Sequence, residues 1–207
     1  MDNDKSTLVD MGDGSTGPRA RRRDAAATRE AILRSALIAF TDHGYDGVGV
    51  REIANAAGVT AMLVNRYFGS KEQLFAEVVE VAFAERTLIA DDVESLSRFA
   101  AAALVAAEPR SVDGFLLMLR SVANPRATEI LRAAIDAHFQ LPLQALLPGA
   151  RAHERAALFL SVLAGVRLMQ QVLGNPALAT ADAAALERRL RPLFELLVHP
   201  PAGAEPS

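Results

Sequence analysis

The sequence predicts an all-α protein of about nine helices, and three observations support this class. Apolar residues recur at helical spacing along most of the chain, and no segment shows the alternation of apolar and polar residues that is typical of a strand. Proline, glycine and asparagine interrupt this pattern and leave segments of ordinary helix length. Near residue 58 two short helical segments are separated by a few residues only, which is the spacing of a helix-turn-helix.

The composition indicates a water-soluble chain with a substantial core. Hydrophobic residues make up 51% of the 207 residues, yet no run of about 18 uncharged apolar residues could span a membrane. Cysteine is absent, which excludes disulfides, thiolate metal ligands and cysteine nucleophiles. The acidic first ten residues lack the basic and apolar regions of a secretory signal, so we expect a cytoplasmic protein.

Charge is distributed unevenly along the chain. The formal net charge of −3 does not by itself favour nucleic-acid binding, but Arg19, Arg21, Arg22 and Arg23 cluster near the start. We predict that residues 1–23 form a disordered basic arm. Two interpretations of this arm remain open: a solvated charge run, or a flexible segment that contacts phosphates or a minor groove.

Local signals predict the first four helices in order. Asp24 is a good N-cap for a first helix that ends at Gly44. A second helix is predicted over 50–57, with Gly49 as its N-cap and Gly58 in the turn that follows. Thr60 is the predicted N-cap of the third helix. The pattern S-x-x-Q at 70–73 predicts a capping box for a fourth helix that ends near residue 86.

Five further helices are predicted over 91–107, 111–122, 125–147, 150–173 and 180–198. Asn124 and Thr180 are the expected N-caps of two of them, and Gly174 is the expected left-handed residue that ends another. Pro142 and Pro192 fall inside two of these segments and should bend or shorten them, because proline has no amide hydrogen.

The segment GYDGVGVREIANAAGVTAMLVNRYFGSKEQLF, residues 44–75, resembles the helix-turn-helix of TetR-family transcriptional regulators. The matching positions are Gly44, Tyr45, Ile53, Ala54, Ala57, Gly58, Val59, Thr60, Phe68, Ser70, Lys71, Glu72, Leu74 and Phe75. The likeness is close over about the first 85 residues and extends beyond them only as an all-helical plan. Gly49, Met62, Leu63 and Asn65 depart from the usual pattern, so an operator sequence cannot be carried over.

The resemblance implies a three-helix DNA-binding domain over residues 24–86, followed by an all-helical ligand-binding and dimerisation domain over 87–199 and a disordered tail over 200–207. It also implies a homodimer that binds a double-stranded DNA operator with two half-sites. The last two predicted helices are apolar enough to pair with their copies in a four-helix bundle. Burial of their apolar faces inside the monomer is the alternative.

The start of the third helix is suited to phosphate, because a helix N-terminus presents amides without intrahelical partners and a favourable dipole. Thr60 and these amides are therefore candidate phosphate contacts. The resemblance implies the same role for Tyr67 and Lys71. A capping threonine and a solvated lysine are the alternative interpretation.

Base recognition is predicted for the outward face of the same helix. Asn65 can pair with adenine and Arg66 with guanine, each giving about 1 to 3 kcal/mol of discrimination, and either can instead contact an adjacent phosphate. Ala61 and Met62 are candidates for contact with a thymine methyl group. Packing of Met62 against the first helix is the alternative.

The apolar residues of the C-terminal half are first of all a helical core, and the resemblance implies that some of them surround a small-molecule effector. The candidate pocket residues are Phe115, Leu119, Phe139, Phe159, Leu163 and Arg167. Polar residues near these faces either anchor an effector or belong to the surface and to interhelical contacts: Arg120, His138, Arg167 and Gln170.

We therefore predict a sequence-specific transcriptional regulator, a repressor that a small hydrophobic effector releases from its operator. A regulator controlled by a protein partner, or by no effector, is one alternative. An enzyme is the other, but the sequence has no Gly-rich phosphate loop, no H-E-x-x-H pair and no nucleophile elbow, and its four histidines are scattered. We predict no catalytic residues, metal site, cofactor or membrane association.

Overall fold

The computed structural model describes residues 18–84, 92–105 and 114–200, and all regular structure within these ranges is helical. The α-helices are α1 (Pro18–His43), α2 (Val50–Ala56), α3 (Ala61–Phe68), α4 (Lys71–Ala84), α5 (Val93–Val105), α6 (Gly114–Ser121), α7 (Pro125–Ile135), α8 (Leu141–Leu146), α9 (Ala152–Arg167), α10 (Pro176–Ala179) and α11 (Ala183–Val198). π-Helical turns follow α7 (Asp136–Gln140) and α9 (Leu168–Val172). The predicted all-α class is confirmed.

The first helix begins earlier than the sequence signals indicate. It starts at Pro18, so residues 18–23 of the predicted disordered arm are helical, and this part of the prediction is wrong. Proline is favoured at the first helical position, and the alanine and arginines that follow it are good helix formers. Asp24 is consequently not an N-cap, and its carbonyl oxygen accepts a hydrogen bond from Thr28 Oγ1 at 2.8 Å inside the helix. Residues 1–17 of the predicted arm lie outside the described residues.

The C-terminal helices show two further differences. The predicted helix 125–147 changes to π-helical hydrogen bonding immediately before Pro142, whose nitrogen carries no hydrogen. The last helix is capped by Asp182, which accepts from the amide of Ala185 at 2.8 Å, and not by Thr180. The hydroxyl of Thr180 instead donates to the carbonyl of Pro176 at the end of α10, a short helix that the sequence pattern did not predict. Pro192 remains inside α11.

Two clusters of buried apolar side chains hold the helices together. The first core consists of residues from α1, α2, α3, α4, α6 and α7 together with Phe139, and the second core of residues from α5, α8, α9 and α11. Leu160 packs against both cores. The predicted division near residue 86 therefore does not coincide with the division between cores, because α6 packs on α1 and α7 packs on α4.

None of the helices among the described residues is sufficiently long and apolar to cross a membrane.

Candidate functional site

The turn between α2 and α3 is built from local hydrogen bonds. Gly58 has a left-handed φ of +69°, and the amide of Val59 donates back to the carbonyl of Ala54 at 2.9 Å, which ends α2. The side chain of Thr60 accepts from the amide of Leu63 at 3.3 Å, so Thr60 is the N-cap of α3 as predicted. Because both helix ends are satisfied within the turn, the direction of α3 relative to α2 is defined.

One side of α3 is buried and the other faces outward. Val64 and Phe68 are buried in the first core. Met62 is 78% exposed, so it does not pack against α1. Asn65 and Arg66 are also exposed. These three side chains share an outward face of α3 that a nucleic-acid groove could contact.

The remaining predicted DNA contacts lie at the edges of this face. Ala61 and Tyr67 are half-buried and pack partly against the first core, whereas Thr60 is exposed at the helix start. Lys71 begins α4, and its Nζ lies 4.5 Å from the centroid of the Tyr45 ring. This cation–π contact fixes the ammonium close to the end of α3.

Tyr45 and Glu72 join the helix-turn-helix to α4 in a way that the sequence pattern did not indicate. Hydrogen bonds from its own backbone amide, from Ser70 and from Arg126 lower the pKa of Glu72 from 4.5 to about 2. Burial raises the pKa of Tyr45, and the negative charge of the Glu72 carboxylate, to which Tyr45 is hydrogen-bonded, raises it further. The first turn of α4 therefore presents an ionised carboxylate that organises groups from three elements.

Arg29 connects α1 to the end of α3 and to α4. Its guanidinium forms an ion pair with Glu77 and lies 4.8 Å from the centroid of the Phe68 ring. Phe68 is the last residue of α3, so this contact holds the C-terminal end of that helix against α1.

A second candidate site is a cavity of about 120 Å³ between the two cores. Its lining residues come from α4, α6, α7, the first π-helical turn and α9: Phe83, Gly114, Phe115, Met118, Ile135, Phe139, Leu160, Leu163, Ala164 and Arg167. Four of the six predicted pocket residues are brought together here. Among the described residues that line it, Arg167 is the only one with a charged side chain.

Leu119 and Phe159, the other two predicted pocket residues, do not line this cavity. Phe159 is 1% exposed in the second core, where its ring centroid lies 4.6 Å from that of Phe194. Leu119 is a half-buried residue of α6. Helical spacing predicts burial for all six residues, but it does not distinguish a side chain that packs on another helix from one that borders a cavity.

The other polar residues considered as effector anchors have structural partners. Arg120 donates to the carbonyl of Thr41 at the end of α1, and His138 Nε2 lies 2.8 Å from a carboxylate oxygen of Glu80 on α4. Gln170 lies half-buried in the second π-helical turn and does not line the cavity. Of these residues only Arg167 borders the cavity.

Residues 120–126 connect α6 and α7 to the helix-turn-helix region. The amide of Tyr45 donates to Ser121 Oγ at 3.0 Å, and Asn124 donates from its side chain to Asp46 at 2.9 Å. Arg126 forms an ion pair of 2.9 Å with Glu72. The partners are separated by 54 to 78 residues in sequence, so local pattern gives no signal for them.

Comparisons with known proteins agree with this arrangement. Residues 32–78 match the family model described as bacterial regulatory proteins of the tetR family, and residues 94–198 match the tetracyclin repressor-like C-terminal domain. The second match alone spans just over half of the chain.

Individual relatives match over shorter stretches or at lower identity. The transcriptional repressor NicS of Pseudomonas putida is 38% identical over 69 residues, which are 33% of this chain and 32% of NicS. The regulator BetI of Agrobacterium fabrum is 40% identical over 79 residues, 38% of this chain and 34% of BetI. The chain thus matches about a third of the length of these curated relatives.

One solved structure is that of NalD, the secondary repressor of the MexAB-OprM multidrug efflux pump in Pseudomonas aeruginosa. It aligns with a TM-score of 0.64 and 24% identity, over 86% of this chain and 98% of NalD. Because the identity is low, this likeness concerns the fold alone.

Proposed function

The chain belongs to the tetR family of bacterial regulatory proteins, and on this basis we propose that it is a cytoplasmic repressor that binds operator DNA as a homodimer and is released by a small-molecule effector. The observation that carries the proposal is the outward face of α3, where Met62, Asn65 and Arg66 are exposed while the opposite side of the helix is buried. A short helix held in this way fits the width of a major groove.

Each predicted contact has a role in this complex. Thr60, the first amides of α3, Tyr67 and Lys71 bind phosphates and set the position of the helix. The Lys71 ammonium is held by the Tyr45 ring at the edge of the same face, which places a positive charge near the start of α4.

Asn65 and Arg66 contact base edges, and Ala61 and Met62 supply apolar contacts to thymine methyl groups. Arg66 is exposed and in the last turn of α3, and Asn65 is its exposed neighbour. Phosphate contacts give affinity, whereas these side chains give the sequence preference.

Dimerisation uses the outward faces of α9 and α11. Leu158 on α9 is 55% exposed, and Leu193 and Leu196 on α11 are 52% and 56% exposed. Gly165 of α9 is exposed and has no neighbouring atom within 4 Å of an added Cβ, so nothing among the described residues requires glycine there. Glycine inside a helix costs about 0.5 to 1 kcal/mol relative to alanine, and close approach of a second copy is a physical reason to retain it.

Two copies related by a two-fold axis place their α3 helices in successive major grooves, about 34 Å apart. The cavity lies between the cores, and α4, which follows α3 directly, contributes Phe83 to its wall. An effector that fills the cavity better in one arrangement of the cores than in another shifts the spacing of the α3 helices. Coupling of ordinary size, about 1 to 3 kcal/mol, changes operator affinity about 5- to 150-fold.

The DNA-binding part is tested with Arg66→Ala and a gel-shift assay on duplexes selected from a random pool. We expect a loss of about 5- to 150-fold in affinity for the best selected sequence, because about 1 to 3 kcal/mol of base discrimination is removed. Arg98→Ala, an exposed arginine of α5, is the matched control and should leave affinity unchanged. Equal affinities of the Arg66 variant and the wild type would remove Arg66 from the interface.

The dimer is tested with Leu193→Glu and light scattering. Burial of a carboxylate between two copies is costly, so we expect a monomer with weakened operator binding. Leu141→Glu on α8, a residue exposed to a similar extent, is the control and should remain dimeric. A dimeric Leu193 variant would place the interface elsewhere.

A further inference from the structure

We propose that the effector cavity is specific for a compact apolar acid: a ligand with a body of about one aromatic ring or a short alkyl chain that carries a single carboxylate, which Arg167 binds. This inference rests on the proposed role of the cavity as the effector site. It goes beyond that role because it assigns the charge, the size and the anchoring residue of the ligand.

The location of Arg167 is the first observation. It is the last residue of α9, directly before the second π-helical turn, and is 8% exposed. A guanidinium remains charged at any physiological pH, and burying a charge costs several kcal/mol unless hydrogen-bond and charge partners compensate. A cavity meant for a neutral hydrocarbon gains nothing from such a group in its wall.

The second observation is what surrounds this charge. The described lining residues other than Arg167 are apolar, three of them phenylalanines, and none of them is aspartate or glutamate. An anion that enters the cavity therefore meets one cation and no described carboxylate in the wall. A cationic ligand would meet an uncompensated repulsion from Arg167, which excludes that class.

The guanidinium is also suited to a carboxylate by its geometry. It has five N–H donors in a planar fork that matches the two oxygens of a carboxylate. Arg167 has contacts within the protein, and five donors allow it to bind a ligand in addition. The Arg167–carboxylate pair would be enclosed by apolar side chains, where hydrogen bonds between charged groups are strongest.

The size of the cavity limits the body of the ligand. At about 120 Å³ it is slightly smaller than an engineered apolar cavity of about 150 Å³ that binds benzene in another protein. Phe83 and Phe139, whose ring centroids are 5.2 Å apart at an interplanar angle of 60°, offer an edge and a face to a planar ring. Met118 is a flexible side chain that can adapt to an alkyl chain of similar length.

Binding at this position would act on the elements that hold the helix-turn-helix. The wall includes Phe115 and Met118 of α6, and the last residues of α6, Arg120 and Ser121, bind the end of α1 and the turn after it. A ligand that moves α6 is thus connected to the α1–α2 turn through two hydrogen bonds.

The test uses the full-length dimer and three probes of nearly equal shape: benzoate, benzamide and benzylamine. Binding is measured by isothermal titration calorimetry near pH 7, and operator release by gel shift. We expect benzoate to bind at least about tenfold more tightly than benzamide, since charge-assisted bonds are about twice as strong as neutral ones, and benzylamine not to bind. Hexanoate should behave like benzoate if the cavity accepts short chains.

Arg167→Met keeps the apolar volume and removes the charge, and it should abolish the preference for benzoate over benzamide. Arg167→Lys retains a charge without the planar fork and should keep part of that preference, so the proposal stays testable if the Met variant does not fold. Arg151→Met, an exposed arginine before α9, is the control and should leave the preference intact.

The outcomes separate the two proposals. Equal binding of benzoate and benzamide, or a preference that survives in Arg167→Met, would overturn the assignment of an acid, while release of DNA by benzamide would leave the effector function standing. If no probe binds although operator binding is intact, the acid assignment is overturned. If operator binding itself is absent, the proposed function fails independently of the cavity.

Discussion

The first and second cores differ in how completely they bury their apolar surface. Among the described residues of α1–α4, the large apolar side chains that remain exposed are Ile38 and Met62. In α8, α9 and α11, which form much of the second core, four leucines remain exposed: Leu141, Leu158, Leu193 and Leu196. The first core thus approaches closure within one chain, whereas the second core leaves an apolar exterior that a second copy can cover.

The cores also differ in how they are assembled from the sequence. The first core combines the helix-turn-helix with α6 and α7, which come from the second matched family segment. Phe40, Tyr45 and Phe75 form an aromatic cluster within it, with centroid distances of 5.0 to 6.1 Å. The DNA-reading unit is therefore packed as one body with part of the effector-binding half, and the cavity lies where this body meets the second core.

The strongest way to break this unity is Gly44→Ala. Gly44 has a φ of +71°, and an added Cβ would overlap the backbone carbonyl of Arg120 in α6. We expect a loss of about 1 to 2 kcal/mol from left-handed strain and a further loss of about 1 to 3 kcal/mol from overpacking. Urea unfolding at fixed protein concentration measures the change.

Gly58→Ala is the matched control for this substitution. Gly58 has a φ of +69°, but an added Cβ would have no neighbouring atom within 4 Å. It should lose the strain energy alone, about 1 to 2 kcal/mol. If both variants lose the same stability, the contact of α6 with the α1–α2 turn contributes nothing.

A smaller effect is expected for Ser121→Ala. Ser121 is 2% exposed and its Oγ accepts from the buried amide of Tyr45, so the substitution leaves a buried donor without its partner at a cost of about 1 to 3 kcal/mol. Thermal unfolding followed by circular dichroism measures this cost. Ser95→Ala on α5, whose hydroxyl bonds to Asp92 in its own helix start, should change stability by about 0.5 kcal/mol or less. Equal losses in the two variants would contradict the comparison.

The smallest effect concerns the pH dependence of the first core. Glu72 has a pKa lowered from 4.5 to about 2, so its contribution to stability is complete above pH 4.5 and is lost as the pH falls towards 2. The sign follows because the unfolded chain binds the proton in this window while the folded chain does not. We expect the free energy of unfolding to fall less steeply across this window in Glu72→Gln than in the wild type.

Glu94→Gln on α5, in the second core, is the control and should retain the wild-type slope. A Glu72 variant that follows the wild-type curve between pH 4.5 and 2 would show that the hydrogen bonds to this carboxylate do not persist in solution.

Much of the helix-turn-helix could be predicted because its signals are local. Thr60, Ser70 and Asn124 accept the cap hydrogen bonds that their positions indicate, and Gly58 and Gly174 have the expected left-handed φ. The predictions at Asp24 and Thr180 were wrong for a related reason. A residue that can cap a helix does so only if the helix begins there, and Pro18 and Asp182 provide the starts that were used.

The sequence by itself determined which segments are helical, which side of α3 is buried and which residues close the turn before it, since these depend on interactions between residues a few positions apart. Only the tertiary structure decided that α6 and α7 share a core with the helix-turn-helix, that Ser121 meets Tyr45, and that Arg167 rather than Arg120 faces the cavity. These outcomes depend on how whole helices pack, and helical periodicity defines the apolar face of a helix without defining what that face meets.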